Sequence, residues 1–248
     1  MTAVDPKPFN PLHGLCRHDS LSMMWDYKNI RPWGSKFVAS LRTISGPATG
    51  FDTDTAFSSQ LQVQCLAEVQ SFVFRYIALD KDEVDAPESI QTVELAYILD
   101  GGLPLGLVQH PQQSTWTAAQ GTSDGNYAAD NALYLGAPAG AYVWYDLEGF
   151  GSIDPTSYLK SWAAAVKSSG FLPAIYFGYP AQESDPWVQG ILSYFYAIWA
   201  AYNSDVQYDI KQSSSITISN TCGGTQYSIG PADPDHTIRG SEIPFLVS

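Results

Sequence analysis

The stretch Ala141-Tyr142-Val143-Trp144-Tyr145-Asp146-Leu147-Glu148-Gly149 constrains the fold more than any other. A run of strand formers leads into two carboxylates, and a glycine follows. Side chains alternate along a strand, so Asp146 and Glu148 share one face with Cα atoms roughly 6.5 Å apart. Tyr145 and Leu147 take the other face. Two acids at the C-terminal end of a buried strand repel each other and resist desolvation, which pushes one towards its protonated form. A neutral carboxylic acid beside a carboxylate is the equipment for cleaving a glycosidic bond. Asp-x-Glu is also a short pattern found at solvated loop edges and helix caps, so context has to decide.

The context is an alternation of strands and helices that begins at Gly50. Gly50-Phe51-Asp52-Thr53-Asp54 reads as a first strand ending in acids. The spacing of Leu61, Cys65, Leu66 and Val69 predicts a helix over 58–69. A second strand is expected at 71–77 and a third at 103–109, separated by a helix opened by Pro87 and stopped by Gly101-Gly102. A helix over 125–136 leads to the fourth strand at 141–148. Asp154-Pro155 starts the next helix, the fifth strand lies at 171–177, a short helix starts at Asp185-Pro186, and the sixth strand lies at 194–200. The Ser- and Gln-rich stretch 207–219 reads as a hairpin insertion, with a seventh strand at 225–229 and an eighth at 235–238.

Eight strands with intervening helices predict an α/β fold, a somewhat irregular TIM-type (β/α)8 barrel. An open doubly wound sheet is the alternative, but no Gly-rich phosphate loop follows Gly50-Phe51-Asp52. In such a barrel the C-terminal strand ends share one mouth, so Asp52, Asp146 and Glu148 converge there. Residues 1–48 carry Pro6, Pro8, Pro11, Pro32 and Pro47 with little periodicity. They read as an N-terminal extension, a strap with no domain of its own, and 49–248 as the barrel.

Charge narrows the partners. The chain of 248 residues has a formal net charge of −13 and no Lys/Arg run. Nucleic acid and anionic membrane are therefore not expected as partners. No apolar stretch is long enough to span a bilayer. No charged region followed by an apolar run marks a signal peptide at the start, which leaves localisation open. Cys16, Cys65 and Cys222 show no Cys-x-x-Cys spacing, so a zinc site is not expected; one disulfide is possible, without an indication of which pair. No cofactor and no metal site is indicated. His236 has no paired Ser or Cys motif, which disfavours a Ser-His-Asp hydrolase.

With these residues in view, the chain resembles the lysozyme-type glycoside hydrolases of family 25. It is more similar to their relatives, the glycoside-hydrolase-like domains first catalogued as domain of unknown function 1906. Gly50-Phe51-Asp52, Asp146-Leu147-Glu148, Ala197 to Tyr202, and Gln226-Tyr227-Ser228 followed by Asp233 or Asp235 carry the resemblance, with Phe72 to Tyr76 supporting it. The resemblance implies action on β-1,4-linked amino-sugar glycans such as peptidoglycan. It implies Glu148 as the acid, Asp146 and Asp52 as supporting carboxylates, and Asp235 as a candidate for the late aspartate. Thr225 stands where the lysozymes usually have Trp.

Further candidates for substrate contact are Arg75 and Gln109 at strand ends, Tyr176 and Trp199 as sugar platforms, and Gln226. Each has a structural reading beside the functional one: satisfied polar groups for the first two, core packing for the aromatics. The expected functions are thus a glycan hydrolase using Glu148, or a carbohydrate-binding or interaction module on a weakened hydrolase barrel. A metal-dependent hydrolase with Asp52, Asp146 and Glu148 as oxygen ligands is a third reading.

Overall fold

The computed structural model describes residues 39–79, 88–112, 114–148, 150–178, 185–201, 206–238 and 240–248. In chain order these form β1 (Ser40–Ser45), β2 (Thr49–Thr53), α1 (Gln60–Ala67), β3 (Phe72–Ile77), α2 (Thr92–Gly101), β4 (Leu105–Gln109), α3 (Ala118–Tyr134), β5 (Tyr142–Leu147), α4 (Thr156–Ser168), β6 (Leu172–Phe177), α5 (Pro186–Ile191), β7 (Ile198–Ala200), β8 (Ile210–Gln212), β9 (Ile216–Cys222), β10 (Thr225–Thr237) and β11 (Glu242–Val247).

Eight strands close a ring in the order β2-β3-β4-β5-β6-β7-β8-β10. Neighbours from β2 to β8 run parallel. The last, β10, is antiparallel to both β8 and β2 and completes the barrel. The expected irregular barrel is therefore present, and the irregularity sits at its end. The expectation for 207–219 is corrected in detail. That stretch holds β8, the seventh barrel strand, and the first arm of the hairpin; the hairpin itself is β9 with the start of β10. The strands expected separately at 225–229 and 235–238 are one long strand, whose first part pairs with β9 and whose last part closes the barrel.

Period-two alternation sorts the core. On β5, Val143, Tyr145 and Leu147 face the helices, whereas Trp144 joins an inner cluster with Phe72, Phe74, Val108, Tyr176 and Trp199. Large inner side chains are accommodated by glycine on the neighbouring strand. A Cβ on Gly50 would lie 2.3 Å from the Phe72 ring, and one on Gly106 would lie 2.2 Å from Phe74. The antiparallel ribbon of β1 and β11 adds Phe245 to this cluster, stacked on Phe72 at a centroid distance of 4.8 Å.

Helix ends follow their capping residues. Ser59 caps α1 and Thr117 caps α3, each side chain accepting an amide hydrogen from the third residue on, and Gly102 at φ 82° ends α2. Helix α3 starts earlier than periodicity suggests because Gly121 and Gly125 lie inside it. These glycines let α3 meet α4 closely, since a Cβ at Gly121 would lie 2.2 Å from the Tyr158 carbonyl oxygen. A disulfide joins Cys65 of α1 to Cys222 of β9, with Cα atoms 5.8 Å apart. It clips the hairpin to the barrel's first helix.

Of the expected extension, 40–45 form β1 within the sheet. Residues 1–38, with Cys16, His13 and His18, lie outside the described residues, as does Pro87. Among the described residues no helix is long and apolar enough to cross a membrane.

Candidate active site

The C-terminal ends of β2, β3, β4 and β5, together with β10, open on a cleft of about 350 Å³. Asp52, Asp146 and Glu148 all line it, with Asp54, Tyr76, Glu88, His110 and Asp233. Strand parity explains the convergence. Asp146 continues the inward face of Trp144, Asp52 continues that of Gly50, and Glu148 leaves the strand end on the same side.

The carboxyls sit at graded depth. Asp146 is 3% exposed and Asp52 is 5% exposed, whereas Glu148 stands exposed at the rim. Burial pushes the Asp146 carboxyl well above its ordinary value, and the charges of Glu148 and Asp52 add to this. The Tyr76 hydroxyl donates to Asp146 Oδ2 at 3.3 Å and pulls in the opposite direction. Asp146 Oδ1 has no hydrogen-bond partner among the described residues. Asp52 is pushed up to about 8, first by burial. Glu148 is raised by desolvation and then by Asp233 across the cleft. The sequence reading places the retained proton on Glu148, but the deeper burial of Asp146 makes it a competitor for that proton.

Asp52 and Asp233 are register partners on β2 and β10. Gln212 of β8 donates from Nε2 to Asp52 Oδ2 at 2.9 Å and to Asp233 Oδ2 at 3.2 Å. The Tyr176 hydroxyl donates to Gln212 Oε1, which fixes the orientation of the amide. Tyr176 thus supports the site from beneath through Gln212 rather than serving as a sugar platform; it is only 4% exposed and does not line the cleft.

Two small features shape the rim. The Tyr76 and His110 rings stack at 4.5 Å with planes 16° apart, giving the cleft a flat wall. The Glu148 side chain lies against the backbone of Gly178, where a Cβ would come 2.2 Å from Oε1 and 2.5 Å from Cγ.

The other sequence candidates fall elsewhere. Arg75 is fully buried on the outward face of β3. Its Nε donates to Glu94 Oε1 at 2.6 Å, a second nitrogen donates to Glu94 Oε2 at 3.1 Å, and a third contact reaches the Thr53 carbonyl. Gln109 is buried behind β4, donating to the carbonyls of Leu79 and Asp124 and accepting from the Trp162 indole at 2.6 Å. Both are structural groups and neither lines the cleft. Trp199 is fully buried in the inner cluster, stacked on Phe74 at 4.6 Å. Gln226 is exposed on the hairpin, paired with Thr221, and does not line the cleft. Asp235 is fully buried below the cleft, where burial and then Asp52 push its carboxyl well above the ordinary value. Neither of its oxygens meets a donor in bonding geometry among the described residues.

Gln212, Asp54, Tyr76, Glu88 and His110 were not expected at the site. Among the described residues, no group of three or more His, Cys, Asp or Glu side chains could hold a metal ion.

A closed α/β barrel with buried carboxyls under an exposed glutamate defines a glycoside-hydrolase-type scaffold. Residues 65–226 match the Rv2525c-like, glycoside hydrolase-like domain, and the chain belongs to that family. Three solved structures are similar in fold. The Tat-secreted protein Rv2525c of Mycobacterium tuberculosis is 14% identical, with a TM-score of 0.56 over 78% of this chain and 97% of that one. An uncharacterized B. stearothermophilus protein is 15% identical, with a TM-score of 0.55 over 77% of this chain and 96% of that one. The catalytic domain of endolysin ply40, from bacteriophage P40 of Listeria monocytogenes, is 17% identical, with a TM-score of 0.52 over 77% and 93%. At these identities the likeness establishes the fold alone. No curated protein matches the sequence.

Proposed function

We propose that the protein hydrolyses β-1,4-linked amino-sugar glycans of the peptidoglycan class, using paired carboxylates. The observation that carries this reading is the grading of Asp52, Asp146 and Glu148 within one cleft, two buried and one at the rim. Glu148, raised by desolvation and by Asp233, delivers a proton to the glycosidic oxygen as the bond to the anomeric carbon breaks. The Asp233 charge on the facing wall, the same charge that raises Glu148, stabilises the positive charge that develops on the sugar. Water then adds to the anomeric carbon, and the acid is restored. Tyr76 and His110 supply a flat wall against which a sugar ring can rest.

The kinship with lytic enzymes supports the substrate class, since one structural neighbour is an endolysin catalytic domain. The Cys65–Cys222 disulfide suits an oxidising compartment, which agrees with an extracytoplasmic polymer as substrate.

One observation favours the second reading, a glycan-binding module. Asp52 and Asp146 are both driven towards neutrality, which removes negative charge that a hydrolase would use. Turnover of purified peptidoglycan and of chitin-type oligomers, with Glu148→Gln as the control, separates the two. Reducing ends released by the wild type and not by the variant support hydrolysis. Binding without release by either supports the module.

A further inference from the structure

We propose a second glycan site, on the outer surface between α4 and segment 193–196, that takes a polysaccharide strand bearing carboxylates. It rests on the reading of the protein as glycan-acting, but not on the chemistry of the cleft. The groove there measures about 460 Å³. Ala163, Ala164 and Lys167 of α4 form one wall, and Tyr194 and Tyr196 form the other, with the nearly buried Phe195 between them. The two tyrosines are 42% and 49% exposed, side by side on one segment.

Charge selects the occupant. Lys160 Nζ lies 5.2 Å from the Tyr194 ring centre, and Lys167 Nζ lies 5.3 Å from that of Tyr196. The two lysines are seven residues apart on one helix and so share a face. Lys211 repeats the arrangement over Tyr208 at 4.8 Å, so each of the three lysines among the described residues covers a tyrosine. In a chain of net charge −13 this concentrates positive charge beside exposed rings. Tyrosine faces accept the apolar C–H face of a pyranose, and the ammonium groups, held by the rings, meet carboxylates along the strand. Asp154 is the acid whose charge meets Lys160, and Asp209 Oδ2 is committed to the Ile198 amide at 3.0 Å.

Position adds to the case. Lys167 closes α4 ahead of β6, and Tyr196 precedes β7, so the groove lies at the end of the barrel opposite Asp52, Asp146 and Glu148. The cleft, with six carboxyl side chains among its lining residues, repels the substituents that the groove attracts.

The test is calorimetric titration of the full chain with hyaluronan oligosaccharides, which carry carboxylates, and with neutral chitin oligomers of equal length. The expected result is salt-sensitive binding of the carboxylated oligomer. It should weaken about fivefold to tenfold in Lys160→Glu/Lys167→Glu, as two lost ion contacts imply. Tyr194→Ala/Tyr196→Ala should weaken it similarly, and the corresponding Phe variants should retain it. Absence of hyaluronan binding by the wild type, or full affinity in the charge-reversed variant, overturns the proposal. Groove binding that persists while the wild type turns over no glycan removes the hydrolase reading and leaves the groove standing.

Discussion

Asp52 and Asp233 face each other in register across β2 and β10, and the single amide of Gln212 is shared between their Oδ2 atoms at 2.9 and 3.2 Å. Two carboxyls so placed would repel if both were charged. The donated hydrogens favour the charged form of Asp52 and oppose the burial that pushes it to about 8. Gln212→Met keeps the volume and removes the donation. The carboxyl of Asp52 should then titrate about 1 to 2 units higher, as loss of a hydrogen bond to a charged group implies. Carbon-13 NMR of labelled aspartate checks this; an unshifted Asp52 titration would show that the amide does not set its proton affinity.

The same burial makes stability depend on pH in an uncommon direction. Asp52 ionises near 4 when unfolded and near 8 when folded, so between these values the folded chain holds a proton that the unfolded chain has lost. Stability should therefore fall as pH rises from about 4 to about 8, and Asp146 and Asp235, also raised by burial, act with the same sign. Asp52→Asn should flatten this slope, raising the urea midpoint at pH 8 relative to wild type more than at pH 4. An identical slope in both proteins would contradict the assignment.

Gly178 offers a way to displace Glu148 without touching it. The three atoms nearest to a methyl group there all belong to the glutamate side chain, so Gly178→Ala should move the carboxyl while leaving the barrel intact. Turnover should fall by about 10²-fold or more, the loss expected from a misplaced catalytic group, with a small change in thermal midpoint. Wild-type turnover in this variant would mean that the position of Glu148 against β6 is unimportant.

Arg75 belongs to stability. Its ion pair with Glu94 is buried, and Glu94 also accepts from the Phe57 amide at 3.1 Å, tying the chain after Asp52 to α2. Removing one partner leaves a buried charge alone, at a cost of about 3–5 kcal/mol. Glu94→Ala should lower stability by that order, and glycan affinity of the folded fraction should not change. A selective loss of affinity at unchanged stability would return Arg75 to the site.

The residues that were legible in the sequence and those that were not differ in a physical way. Asp146 and Glu148 follow a long run of strand formers whose parity is unambiguous, so their shared face and common mouth with Asp52 are readable. The same parity argues against Arg75 and Gln109: Phe74 and Val108 point inwards, so the residues next to them point to the helices. Gln212 was hidden because β8 is three residues long and lies in a stretch whose alternation belongs to the following hairpin. The antiparallel β10 was hidden because Gly230 and Pro231 interrupt it, and such residues ordinarily end strands. Asp233 reaches the cleft only because β10 runs through that interruption and closes the barrel.

On the proposed mechanism, Glu148 gives up a proton to the leaving oxygen from a carboxyl whose raised affinity comes from desolvation and from Asp233. The most direct test is the pH–rate profile on a soluble β-1,4-linked amino-sugar oligomer for wild type, Glu148→Gln and Asp233→Asn. The account predicts a wild-type rate that declines as pH rises past the ionisation of Glu148, and a decline at lower pH in Asp233→Asn because the charge holding the proton is gone. It also predicts a loss of about 10²- to 10⁴-fold in Glu148→Gln. Undiminished turnover in Glu148→Gln would contradict it.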